Sequence, residues 1–240
     1  MSARRRARRA FVVLTIVAAA LGADLLLRHP ATPLPRAWNP AEPLRLGDPP
    51  TWLTGFKLSR AARDPASCLA ILTEAGIVAE PLPDMSESAG CEIRQRVRLA
   101  RLTQAQLTPV ETRCDLALHL AMWERHGLQP AARASFGEPV AEIEHYSSYS
   151  CRAMRTGREG SERMSKHATA EAIDIAGFRL QSGRRILLRE GWEAPAEEAA
   201  FLRRARDSAC AWFATTLGPD CNGLHADHFH LQPRGWWICR

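Results

Sequence analysis

No two of the seven cysteines stand in a C-x-x-C pair; they fall at Cys68, Cys91, Cys114, Cys151, Cys210, Cys221 and Cys239. That absence argues against a cysteine zinc site and a thioredoxin-like motif. Aromatic residues make up only 7% of the chain and nowhere interleave with basic ones, so no nucleic-acid-binding face is expected. The formal net charge of +6 does not change this, because Arg4, Arg5, Arg6, Arg8 and Arg9 supply most of it and the remainder is nearly neutral. No internal repeat is visible, which leaves one sizeable domain with an extension rather than an array.

What is present is an ordinary globular balance: 240 residues, 46% hydrophobic and 24% charged, enough to bury a core. The arginine cluster is followed by the apolar stretch 10–23, AFVVLTIVAAALGA, which Leu25, Leu26 and Leu27 extend past Asp24. A charged segment before an apolar one is the order of an export signal. Read over residues 10–27, the run is 18 residues with one acid, close to a short membrane span. With basic residues before the span and only Arg28 just after it, the N-terminus is expected inside. An uncleaved signal anchor over 1–27 is the preferred reading. Cleavage after Gly22 is the alternative, and the Arg8-Arg9 pair is a minor twin-arginine feature. Residues 28–50 hold seven prolines and read as an extended tether, with the folded domain at 51–240. Export places the cysteines in an oxidising compartment, where disulfides form. An odd number leaves at least one thiol over, and Cys210–Cys221 is a candidate local pair.

The patterning predicts helices at 58–76, from Thr108-Pro109 to Gly127, from Pro130 to before Gly137, and over 195–216, with strands at 139–151, 171–180 and 225–232. Helices and strands are segregated more than alternating, so the expected class is α+β, a small antiparallel sheet flanked by helices behind the N-terminal signal or membrane anchor.

Two segments carry the chemistry: Ser165-Lys166-His167-Ala168-Thr169-Ala170-Glu171-Ala172-Ile173-Asp174 and His225-Ala226-Asp227-His228-Phe229-His230. Side chains two apart in a strand share a face, so His228 and His230 point one way while Asp227 and Phe229 point the other. The small residues Ala168, Ala170 and Ala172 permit the turn that brings His167 to Asp174. His167, Asp174 and one imidazole of the His228/His230 pair, two imidazoles and a carboxylate, make a three-ligand zinc site with an open fourth position, the pattern of catalysis rather than of a closed structural site. The other imidazole of the pair can then stand beside the metal-bound water without holding the metal. Asp227 is expected as a structural acceptor and Glu171 as a solvated acid. His145 is a minor candidate to line the cleft, and His119 and His126 read as packing histidines.

The pattern Ser165-x-His167-x-x-Ala170-x-Ala172-x-Asp174 followed by His228-x-His230 resembles the signature of the lysostaphin, D-Ala-D-Ala peptidase and hedgehog zinc metallopeptidase group. The closer resemblance is to the bacterial extensin-like C-terminal domain family. It is carried by Ser148-Tyr149-Ser150-Cys151-Arg152, Ser165 to Phe178, Ala209-Cys210, Leu217-Gly218-Pro219 and His225 to Leu231, over roughly residues 60–240. The His225-x-x-His228-x-His230 spacing is also similar to penicillin-insensitive murein endopeptidases. Ala170 stands where the peptidase motif usually has Gly, and Gln232 where an acid is expected. The resemblance implies zinc on His167, Asp174 and His230, with His228 as general base and acid. It further implies that Arg152 steadies a substrate carboxylate or carbonyl oxygen, as a guanidinium can with paired hydrogen bonds. His225 stands behind His228 as a further catalytic candidate. The expected function is a zinc-dependent hydrolase, a D,D-peptidase or endopeptidase acting on peptidoglycan. The alternative is a non-catalytic cell-wall binding or scaffold domain that keeps the zinc fold. The expected location is the inner membrane, single-pass with a periplasmic C-terminal domain, or secreted to the periplasm, with the cytoplasmic membrane met through the N-terminal helix.

Overall fold

The computed structural model describes residues 3–154, 163–194 and 196–240. The chain divides into two compact units, Met1–Lys57 and Leu58–Arg240. In the first, helix α1 spans Ala3–Arg28, and its stretch Arg4–Arg28 is long and apolar enough to cross a membrane. Twenty-five residues at about 1.5 Å each give roughly 38 Å, which exceeds the ~30 Å hydrocarbon core. The proline-rich stretch after it carries hydrogen bonds of its own. Asn39 Nδ2 donates to Leu27 O at 2.7 Å, Thr51 Oγ1 to Ala37 O at 3.1 Å, and Lys57 Nζ to Arg36 O at 2.7 Å.

The expected helix over 58–76 is two helices, α2 at Thr54–Ala61 and α3 at Pro65–Glu74. Asp64 is the reason. It caps α3 by accepting from Ser67 N at 3.1 Å, and a residue before proline avoids helical backbone. Five strands follow: β1 Val78–Pro81, β2 Met85–Ser88, β3 Cys91–Ile93, β4 Arg96–Arg101 and β5 Gln106–Arg113. The Thr108-Pro109 segment is therefore strand, not the expected helix start. Its Leu107, Val110 and Thr112 are buried, and its register on β4 runs from Arg113 opposite Arg96. Pro109 is tolerated because that register shifts between Leu99 and Arg101. Helix α4 begins at Cys114 and runs to Trp123. It continues through a π turn, Glu124–Leu128, into α5, Gln129–Phe136. Gly127 does not stop it. A β-carbon there would lie 2.7 Å from Ser208 Oγ, so the glycine lets two helices touch.

Strand β6 covers Val140–His145, β7 Ile173–Leu180 and β8 Arg185–Leu187; then come a short helix α6, Leu188–Gly191, and α7, Ala196–Ala209. The last helix is shorter than expected because Thr215–Leu217 forms strand β9 against β10, Phe229–Gln232. Strand β11, Ile238–Cys239, closes the order. Among the described residues the class is α+β. A nine-stranded, mostly antiparallel sheet runs β1-β4-β5-β6-β7-β10-β9-β11, with β8 beside β7 and a separate β2-β3 hairpin. Fully buried Trp123, Phe178, Phe201 and Phe213 pack edge-to-face between the helices and the sheet, and Trp123 Nε1 donates to Ser208 Oγ at 3.0 Å.

Disulfides join Cys68–Cys114, Cys91–Cys151 and Cys210–Cys239. The expected Cys210–Cys221 pair does not form. β11 runs parallel to β9 and carries Cys239 to the end of α7, whereas Cys221 lies in a turn closed by its own N–H on Gly218 O, and its thiol is free.

Candidate metal centre

Three elements converge on one site. A 3-10 turn, Lys166–Thr169, carries His167. Ser165 caps the turn, its Oγ accepting from His167 N at 3.3 Å. The turn ends at Ala170, in left-handed backbone at φ 47°, and Ala168, Ala170 and Ala172 are fully buried against the sheet. That fit is what the small residues are for. Asp174 follows on β7, and His230 on β10 lies directly opposite it in the antiparallel register.

The inward atoms are close. His230 Nδ1 is 2.8 Å from Asp174 Oδ1, His167 Nε2 is 3.2 Å from Asp174 Oδ2, and the two imidazole nitrogens are 3.1 Å apart. Among the described residues these three form a group able to hold a metal ion. The set fits zinc. A tetrahedron with bonds of about 2.0–2.1 Å has edges of roughly 3.3 Å, and two nitrogens and one oxygen leave a fourth corner open. The back of the His167 ring is also arranged for it. His167 Nδ1 donates to Ser148 O at 2.9 Å, which points Nε2 inward. Burial alone would raise the Asp174 carboxyl. Hydrogen bonds from His167 and His230, with the attraction of both rings, outweigh it and hold the group below its ordinary range.

His228 stands beside this centre just before β10 begins, not within a strand. Its Nε2 is 3.6 Å from Asp174 Oδ1. Its Nδ1 donates to Asp227 Oδ1 at 2.9 Å. Because the strand starts only at Phe229, Asp227 does not face away as expected; it reaches the His228 ring. The far oxygen of Asp227 accepts from Tyr146 Oη at 3.0 Å and from Arg189 Nη2 at 2.8 Å. Hydrogen bonds from His228, Arg189 and Tyr146 lower the Asp227 carboxyl to about 2. His225 Nδ1 bonds Asn222 Oδ1 at 2.9 Å, and its ring lies 5.3 Å from His228 and 5.8 Å from His230. Burial, then the nearby His230 and His228, hold its imidazole down to about 4.

These residues line a cleft of about 780 Å³. Arg152 lies on its wall, close to Ser165, whose N–H bonds Arg152 O at 3.0 Å. The Arg152 guanidinium donates to Ala153 O at 3.4 Å and meets no carboxylate among the described residues. The structure thus gathers His167, Asp174, His230, His228, His225 and Arg152 around one cleft. His145 turns away to Thr108 O at 2.9 Å. Glu171 is not simply solvated: it accepts from Lys166 Nζ at 2.6 Å and Arg113 Nη1 at 3.2 Å. His119 and His126 pack against Phe213 and Trp212. The sequence reading missed Tyr146, Arg189 and Asn222. Tyr146 and Arg189 come from distant parts of the chain with nothing local to mark them, and Asn222 caps the short turn that carries His225.

Fold and site together define an α+β domain with a two-histidine, one-aspartate candidate metal centre on a cleft. Residues 66–240 match the family described as extensin-like protein C-terminus, and the chain belongs to that family. No curated protein matches the chain, and no solved structure does.

Proposed function

We propose that the chain is a zinc-dependent hydrolase of the cell envelope that cleaves an amide bond in peptidoglycan, as a D,D-peptidase or endopeptidase. The observation that carries this reading is His228. Its proton-bearing nitrogen is fixed by Asp227, and its free nitrogen faces the same space as His167, Asp174 and His230. A closed structural site has no use for an oriented, uncommitted base. The resemblance to the lysostaphin and D-Ala-D-Ala peptidase group, on the same residues, supports the substrate class.

His167, Asp174 and His230 would hold the ion. A zinc ion there supplies Lewis acidity to a substrate carbonyl and makes water easier to deprotonate. His228 Nε2 takes the proton from the attacking water and returns it to the leaving amine. Asp227 keeps the ring in the tautomer that leaves Nε2 free and steadies it once protonated, and Tyr146 and Arg189 fix Asp227 in turn. Arg152 is placed to meet a carboxylate on the substrate, and His225 borders the reacting centre from the rim.

The apolar helix serves as a signal or anchor, and the three disulfides suit an oxidising compartment outside the cytoplasm. In the proposed arrangement the chain crosses the inner membrane once with the domain in the periplasm, or is released there. Purified cell-wall sacculi test the reading. The zinc-loaded protein should release soluble muropeptides, a chelator should stop it and added zinc should restore it. Sacculi that bind the loaded protein without product would leave the non-catalytic wall-binding reading.

A further inference from the structure

The loop 233–237, between β10 and β11, presents Trp236 and Trp237 at 86% and 79% exposure. Two adjacent indoles left bare mark an interaction surface. The loop is held rather than loose. Arg234 Nη2 pairs with Asp115 Oδ2 at 3.0 Å, and the Asp115 side chain is only 2% exposed. Gly235 lies so close to β9 that a β-carbon would come within 2.1 Å of Thr215 Oγ1. Trp237 adopts left-handed backbone, φ 54°, which a β-carbon disfavours. Immediately after it, Ile238 and Cys239 pair with Thr215 and Thr216, and Cys239 is bonded to Cys210. An ion pair, a close approach, a strained residue and a disulfide all hold in place a turn whose large side chains touch little of the protein.

We infer that Trp236 and Trp237 form a stacking platform for the sugar rings of a glycan strand whose peptide branch enters the metal cleft. The inference rests on the peptidoglycan reading of that cleft. Its own observation is continuity. Gln232 lines the cleft, shares a strand face with His230, and is followed directly by the loop, so a polymer leaving the cleft along β10 meets the two indoles. The chemistry favours a sugar over a bilayer. A pyranose has an apolar C–H face and a polar rim, matched by indole faces flanked by Gln232 and Arg234. A lipid surface would call for a broader apolar surround than two tryptophans and the 39%-exposed Ile238.

The probe is peptide-free glycan strands, immobilised, with the full chain in detergent passed over them. The double variant Trp236→Ala/Trp237→Ala should lose retention by about tenfold or more, the scale of lost aromatic stacking. Its zinc content and three disulfides should be unchanged, and Trp236→Phe/Trp237→Phe should keep most of the retention. Equal retention of wild type and Ala variant, or no retention of wild type, overturns the platform. So does a variant that loses only self-association. Retention on peptide-free strands by a zinc-loaded chain that releases nothing from intact sacculi upholds the platform while ending the hydrolase reading, so the two fail separately.

Discussion

His167 Nε2 and His230 Nδ1 face each other at 3.1 Å, with the Asp174 carboxylate bridging them at 3.2 and 2.8 Å. His167 Nδ1 donates to Ser148 O, which leaves its Nε2 facing inward. Two imidazole nitrogens and a carboxylate this close need shared protons or a cation between them. A zinc ion held by both rings and the carboxylate is the occupant proposed above.

The first expected outcome is therefore about one zinc per chain in the purified protein, by elemental analysis. Asp174→Ala or His230→Ala should strongly reduce it. Ser148 acts through its backbone carbonyl, so Ser148→Ala should leave zinc in place. Stoichiometric zinc in the Asp174→Ala/His230→Ala double variant would overturn the ligand assignment.

The disulfides close segments of 46, 60 and 29 residues. Restricting the unfolded chain over such loops contributes up to about 4 kcal/mol each. Full reduction should lower the thermal midpoint sharply. Cys221→Ser should change it little, because that thiol is unpaired. A Cys221→Ser variant as unstable as the reduced protein would refute the pairing.

Ala170 tests how the turn before Asp174 is built. The peptidase pattern usually has glycine there, and the backbone is indeed left-handed, at φ 47°. Ala170→Gly relieves about 1–2 kcal/mol of steric cost. It also gives up about 0.8 kcal/mol of methyl burial and about 0.4–1 kcal/mol through a freer unfolded chain. The terms nearly cancel, so stability should move by less than about 1 kcal/mol and zinc should stay. Loss of zinc would mean the methyl itself supports His167.

That His167, Asp174 and His230 come together was legible because their setting is local: two short segments, small residues around a turn, and alternation along a strand. The α+β class was legible for the same reason. What escaped depends on distant partners. Thr108-Pro109 looks like a helix start until β4 pairs with it, and Cys210 finds Cys239 only because β11 joins the sheet beside β9. Tyr146 and Arg189 serve the site through single contacts to Asp227 from far along the chain, which leave no spacing signal.

Location has its own test. A reporter fused after Arg240 should be active only outside the cytoplasm, because the arginines in the first turns of the apolar helix should keep its start inside. Cytoplasmic activity would refute export. A mature chain beginning after Gly22 would leave export standing and remove the anchor.

The last prediction separates an enzyme from a binding domain. His228 approaches the centre at 3.6 Å from Asp174 Oδ1 but is not among the three groups that close on one another. General acid–base groups contribute about a hundred- to ten-thousand-fold in rate. His228→Ala should keep zinc and fold while losing hydrolysis of cross-linked muropeptides on that scale. Asp227→Asn keeps the shape but can offer its amide nitrogen to the ring, so it should slow the reaction and leave zinc untouched. Tyr146→Phe removes one of the two donors to the far oxygen of Asp227 and should cost less. His225→Ala should also cost less than His228→Ala, since His225 is tied to Asn222 at the rim. An equal or larger loss at His225 would make it the base. Zinc lost together with activity in His228→Ala would make His228 a ligand and force the two histidines of the pair to exchange roles.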